Sequence, residues 1–117
     1  MDIFSLADHY SVWTKSTIVD LLTSLGDEDF QRSQSKEELL EYVNNYFVPD
    51  VLEHAELKAL SQLASAVAIE VKGKKGRRER FCTALTNFQN EMKDRALVAI
   101  QEVPETSPEF TAYARII

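Results

Sequence analysis

The sequence predicts an all-α fold: a single bundle of five to six helices built on a long antiparallel helical hairpin over residues 50–103. Three observations lead there. Apolar residues recur at three-and-four spacing through most of the chain, the period of one helical face. The three glycines and three prolines all fall between those periodic segments, which favours long helices over a many-stranded sheet. Capping residues bracket the segments on either side. At 117 residues the chain is the size of one domain, 1–117, with enough length to bury a sizeable core.

Each element has a local reason. Ile3, Phe4, Leu6, Ala7 and Tyr10 mark a short helix over residues 1–11 with one apolar side. Thr14 can cap a helix that runs to Leu25, with Ile18, Leu21, Leu22 and Leu25 on one face and Gly26 just past its end. The loop from Asp27 to Gln34 is polar except for Phe30, which is expected to turn inward. Ser35-Lys36-Glu37-Glu38 is a capping box, followed by an apolar face of Leu39, Leu40, Val43, Tyr46 and Phe47.

Pro49 is expected to end that helix and Asp50 to cap the first hairpin arm, striped by Leu52, Ala55, Ala59, Leu60, Leu63, Val67 and Val71. Gly73 fits its C-terminal cap. The second arm carries Phe81, Leu85, Phe88, Met92, Ala96, Ala99, Ile100 and Val103, and Pro104 stops it. A two-stranded ribbon over residues 67–82 is the competing reading of the turn. Ser107 before Pro108 reads as an N-cap with proline at the first helical position, opening a last helix with Phe110 and Tyr113. Leu63, Val67, Phe81, Leu85, Phe88 and Met92 are expected to form the core with Leu22, Leu40 and Phe47.

Charge is the sharpest functional signal. The net charge is −6, which argues against wholesale wrapping of nucleic acid. Yet Lys72, Lys74, Lys75, Arg77, Arg78 and Arg80 place six of thirteen basic residues within nine positions. With Glu79 as its one carboxylate that block carries +5, so the rest of a −6 chain carries −11. A turn has no folding need for six mutually repelling cations, whereas phosphate or carboxylate contact would use them, arginine bidentately.

The other chemistry-bearing patterns are thin. Asp27, Asp29, Gln31, Ser33, Ser35 and Glu38 fall at the alternate positions of a calcium loop, but Arg32 stands where the sharp turn needs glycine. His9 and His54 are the only histidines and lie on different elements, and Asp50 with His54 supplies two ligands where zinc needs more. No Gly-x-Ser-x-Gly turn supports a nucleophilic serine, and Gly73-x-x-Gly76 lacks the context of a phosphate loop. Cys82 follows three arginines that favour a thiolate; its expected role is a small half-buried residue. A lone cysteine predicts a reducing compartment.

Val19-Asp20-Leu21-Leu22, Gly26, Lys36 and Glu38-Leu39-Leu40 lie within two predicted helices and one loop, residues 14–47. In this arrangement the segment resembles the SAP-type helix–extended-loop–helix module, a small DNA-backbone binder. That family has a glycine two positions before the lysine, where this chain has Gln34. The family's basic face is replaced here by Asp27, Glu28, Asp29, Glu37, Glu38 and Glu41. The resemblance therefore implies shape more than affinity for DNA.

The functional expectation is a small non-catalytic regulatory or adaptor protein that contacts a polyanion, nucleic acid first, through the basic tip. The alternative is a protein–protein module, an inhibitor or assembly factor, using the acidic N-terminal half, with the tip paired to an acidic partner or a second copy. No cofactor, metal or catalytic residue is expected. With no run of about 18 apolar residues and no basic-then-apolar leader, the expected location is the cytoplasm, or the nucleus in a eukaryote.

Overall fold

The computed structural model describes residues 3–117. They form six α-helices and two 3-10 segments, and no strand. In order these are a 3-10 segment Leu6–Val12, α1 Lys15–Leu25, α2 Lys36–Val43, α3 Val48–His54, α4 Leu57–Ala66, α5 Arg77–Ala99, a 3-10 segment Ile100–Glu102 and α6 Pro108–Ile116. The ribbon alternative for residues 67–82 is thereby overturned.

Local capping builds the first part as expected. The Thr14 hydroxyl accepts from the Thr17 amide, and Gly26 closes α1 in the left-handed region at φ 79°. Ser35 and Glu38 form the full capping box of α2. Ser107 caps α6 from the position before Pro108. Ser5 and Asp8 form a further capping box, on the N-terminal 3-10 segment.

The expected first hairpin arm is not one helix. α3 ends at His54, Ala55 and Glu56 are extended, and α4 begins at Leu57. The reason is tertiary: α3 packs on α1 and α5, whereas α4 packs on α5 and the N-terminal 3-10 segment. Pro49 does not end an element but sits in the first turn of α3, where its missing N–H costs nothing. Phe47, not Asp50, occupies the capping position.

α4 also stops well before Gly73. The Ile69 amide reaches back to the Ala64 carbonyl at 2.9 Å and the Ala68 amide to Ser65 at 3.2 Å, the Schellman pattern. Ala68 takes the left-handed position, φ 59°, that glycine usually fills. Ile69 then packs on the core, the apolar contact that accompanies such a closure and offsets the strain.

The core centres on Trp13, fully buried, with its ring stacked on Tyr10 at 4.8 Å and its indole N–H donating to the Ala59 carbonyl at 2.8 Å. Leu6, Ile18, Leu22, Leu39, Val43, Val51, Leu60, Leu63 and Leu85 are fully buried in the same cluster. Of the residues expected inside, Leu22, Leu63, Phe81, Leu85 and Met92 are buried, while Leu40, Val67 and Phe88 are half-buried. Phe47 is 81% exposed, because α2 ends at Val43 and the turn through Tyr46 rotates it off the apolar face.

The molecule is a plate, 39 × 37 × 19 Å, thick enough for two layers of helices. Its radius of gyration is 15.0 Å, against about 13 Å for a rounder chain of this length.

Candidate nucleic-acid interface

The basic tip is a loop, residues 67–76, between α4 and α5, running on into the first turns of α5. Its first stretch is extended and alternates: Ile69 and Val71 pack on the core while Glu70 and Lys72 face solvent. Those two anchors set where the loop leaves the body. Gly73, at φ 93°, lies so close to the Arg80 guanidinium that a Cβ would collide with it. Arg80 Nη1 donates to the Lys72 carbonyl at 2.7 Å, bracing the loop against α5.

All six predicted residues, Lys72, Lys74, Lys75, Arg77, Arg78 and Arg80, are exposed. They are not equivalent. Arg78 donates to the Leu52, Glu53 and Ala55 carbonyls, at 3.5 Å and 2.9 Å for the first and last, and so caps the broken end of α3. Arg77 lies over the Phe81 ring, 5.3 Å from its centroid. Arg80 holds Lys72, as above. The lysines make no side-chain hydrogen bond or ion pair among the described residues, where the one ion pair is Arg95 with Glu91 at 2.7 Å. Three point charges are therefore free and three guanidiniums have internal partners.

The setting is only partly relieved, with Glu79 the one acid in the first turn of α5. Gly76 caps α5 in the left-handed conformation without a side chain to accept from the first-turn amides. Three arginines then sit at the positive end of the helix dipole, a placement that costs about 0.3–1 kcal/mol per charge at low salt. A groove continues the tip along α5, where Lys75 and Arg80 are followed by Thr83 and Asn87, with Glu79 as its one carboxylate. Thr83 and Asn87 went unread in the sequence; the signal was a solvent face of α5 with no acid between Glu79 and Glu91.

The remaining candidates resolve into structural roles. Asp27 Oδ1 accepts from the Asp29 and Phe30 amides at 2.9 and 3.1 Å, and its Oδ2 accepts from the Tyr46 hydroxyl at 2.7 Å. That bond, with a smaller contribution from burial, pushes the Tyr46 pKa up to about 12. Glu38 is engaged in its capping box. No three acid, histidine or cysteine side chains converge among the described residues. His9 meets the Phe4 ring edge-on at 4.8 Å, and His54 Nδ1 lies 3.2 Å from Ser24 Oγ at the surface. The half-buried Cys82 thiol contacts the Leu52 carbonyl at 3.5 Å. Lys36, which opens the second helix of the helix–loop–helix segment, donates to the Ser11 carbonyl.

Among the described residues no helix is long and apolar enough to cross a membrane. No protein-family model, curated protein or solved structure matches the chain.

Proposed function

We infer that the protein is a non-catalytic regulatory or adaptor protein of the cytoplasm or nucleus that binds a polyanion, nucleic acid first, through residues 72–80. The observation that carries this reading is the trio Lys72, Lys74 and Lys75, exposed and without internal partners on a loop braced by Arg80. A ligand phosphate would relieve both the mutual repulsion of the cations and their clash with the α5 dipole. Lysines act as point charges, so this surface suits backbone contact rather than base reading. The −11 remainder of the chain would repel the same ligand and confine it to the tip.

The test is a fluorescence-anisotropy titration of labelled duplex DNA and single-stranded RNA across a salt series. If the three lysines carry contact, log affinity falls against log salt for duplex DNA with a slope of about −3; if all six cations do, about −5. Lys72→Glu, Lys74→Glu and Lys75→Glu together should abolish binding with helicity unchanged. A parent protein that binds neither nucleic acid at low salt would remove this reading and leave the protein–protein alternative in its place.

A further inference from the structure

We propose that the groove bounded by the α2–α3 turn, α5 and α6 docks a short acidic peptide segment of a partner protein, seated by an apolar side chain. This site stands apart from the basic tip, roughly 24 Å along α5 counted from Arg77 to Lys93, and does not depend on it.

The groove encloses about 410 Å³. Its lip is Phe47, at 81% the most exposed large hydrophobic residue among those described. An aromatic ring held in water costs free energy, and covering it carries a small entropic cost, since only two side-chain torsions need fixing when a partner binds. Phe47 is also held in place by its backbone, extended at φ −66° and ψ 144° at the head of α3, with Pro49 stiffening the turn behind it. Val48 and Ile117 add apolar surface to the same groove, with the buried Ile116 behind it.

Charge selects the occupant. Lys93 of α5 and Arg115 of α6 line the groove, and neither forms a hydrogen bond or ion pair with another described residue. No Asp or Glu side chain is among the described lining residues, in a chain with nineteen of them. An acidic protein thus has one groove lined by no acidic side chain and faced with two open cations. A segment bearing Asp or Glu fits there, and a basic one does not.

The polar groups favour a peptide over other anions. Asn44, Asn45 and Asn90 line the same groove, each amide offering donors and an acceptor that match the N–H and C=O of an extended backbone. Gln89 forms a fixed wall: its Oε1 accepts from the Leu6 amide at 2.8 Å and its Nε2 donates to Ser5 Oγ at 3.1 Å. Two cations beside an aromatic lip give too little charge for a nucleic-acid backbone, which is held chiefly by phosphate neutralisation.

The experiment is selection of a random peptide library on the purified full chain, followed by titration of the enriched peptides. Enriched sequences should place Asp or Glu beside an aromatic or large aliphatic residue. Their affinity should fall about tenfold or more, at least 1.4 kcal/mol, with Phe47→Ser. The double reversal Lys93→Glu with Arg115→Glu should do the same, while Lys74→Glu with Lys75→Glu leaves peptide affinity intact. Both Phe47 and the two cations lie at the surface, and thermal melts of each variant confirm the fold. The proposal is overturned if no peptide is enriched, if the winners are basic or lack carboxylates, or if both groove variants bind as the parent does. Self-association in sedimentation that Phe47→Ser removes would overturn it too, assigning the groove to a second copy.

Discussion

The two halves of α5 carry the same apolar period and meet different fates. In the first half Phe81 and Leu85 enter the main core, beneath a first turn whose arginines brace two neighbouring segments. In the second, Met92 and Ala96 are buried outside that core, where α6 packs with Ile116, and Leu97 and Val98 stay 44% and 65% exposed. A three-and-four stripe reports that one face of a helix is apolar; how thickly that face is covered depends on what arrives from elsewhere in the chain. Here α3 and α4 pack on α5 from upstream in the chain, whereas its far end meets only α6 and the short 3-10 segment that follows it.

The comparison breaks or holds first on core truncation. Leu85→Ala, fully buried, should cost about 2–5 kcal/mol in urea unfolding, toward the top of that range because rigid neighbours leave a cavity. Met92→Ala should cost less, toward the lower end, since a single helix over it can collapse into the space. Phe88→Ala would cost about 3–5 kcal/mol if Phe88 were fully buried; half-buried, it should fall below that. Equal losses at Leu85 and Met92 would show that the second half is as well packed as the first.

Next in size is the division of labour within the tip. Arg78→Ala strips the guanidinium from the carbonyls that end α3 and should cost about 1–3 kcal/mol, near the bottom of that range because water can replace it. Lys74→Ala should stay within about 0.5 kcal/mol of the parent. This contrast also marks what the sequence could show. Cap residues act within four positions, so Thr14 with Gly26, Ser35 with Glu38, and Ser107 with Pro108 were readable directly. The density of charge at 72–80 was readable for the same reason. That Arg78 belongs to α3, more than twenty residues upstream, was not; nor was the break at Ala55, nor a core centred on Trp13 through a bond to Ala59. Those features arise when distant segments meet, and local periodicity contains no record of the meeting. The exposure of Phe47 followed from the same blindness, since the early end of α2 left a residue in apolar register without a helix to hold it inward.

Ala68 tests the boundary between the body and the tip. An L-residue held at φ 59° costs roughly 1–2 kcal/mol, part of which glycine returns as unfolded-state entropy. Ala68→Gly should therefore stabilise the chain by about 0.5–1 kcal/mol in the same urea assay, with polyanion affinity unchanged. Destabilisation would mean that the closure of α4 at Ile69 does not hold in solution.

The smallest effect lies just past α2, where Tyr46 donates to Asp27 and ties that end of the helix to the acidic loop. The carboxylate and partial burial favour the neutral phenol, raising its pKa from 10.0 to about 12. A group whose folded pKa lies above its unfolded value stabilises fully below the unfolded one. The contribution of Tyr46 is thus complete below about pH 10 and fades as pH rises through about 12. Spectrophotometric titration should show one tyrosine ionising near 12, and Asp27→Asn should bring it down toward 10, since the amide carries no charge to oppose the phenolate. Tyr10 offers no such handle. The pKa of its hydroxyl is raised by burial alone, and the group has no hydrogen-bond partner among the described residues, so its titration would follow unfolding rather than report a local contact. If Asp27→Asn leaves the high-pH phenol where it was, the bond across the loop does not form, and the acidic segment is held by its own turn, by Phe30 on the core and by the Gln34 amide on the Tyr42 hydroxyl.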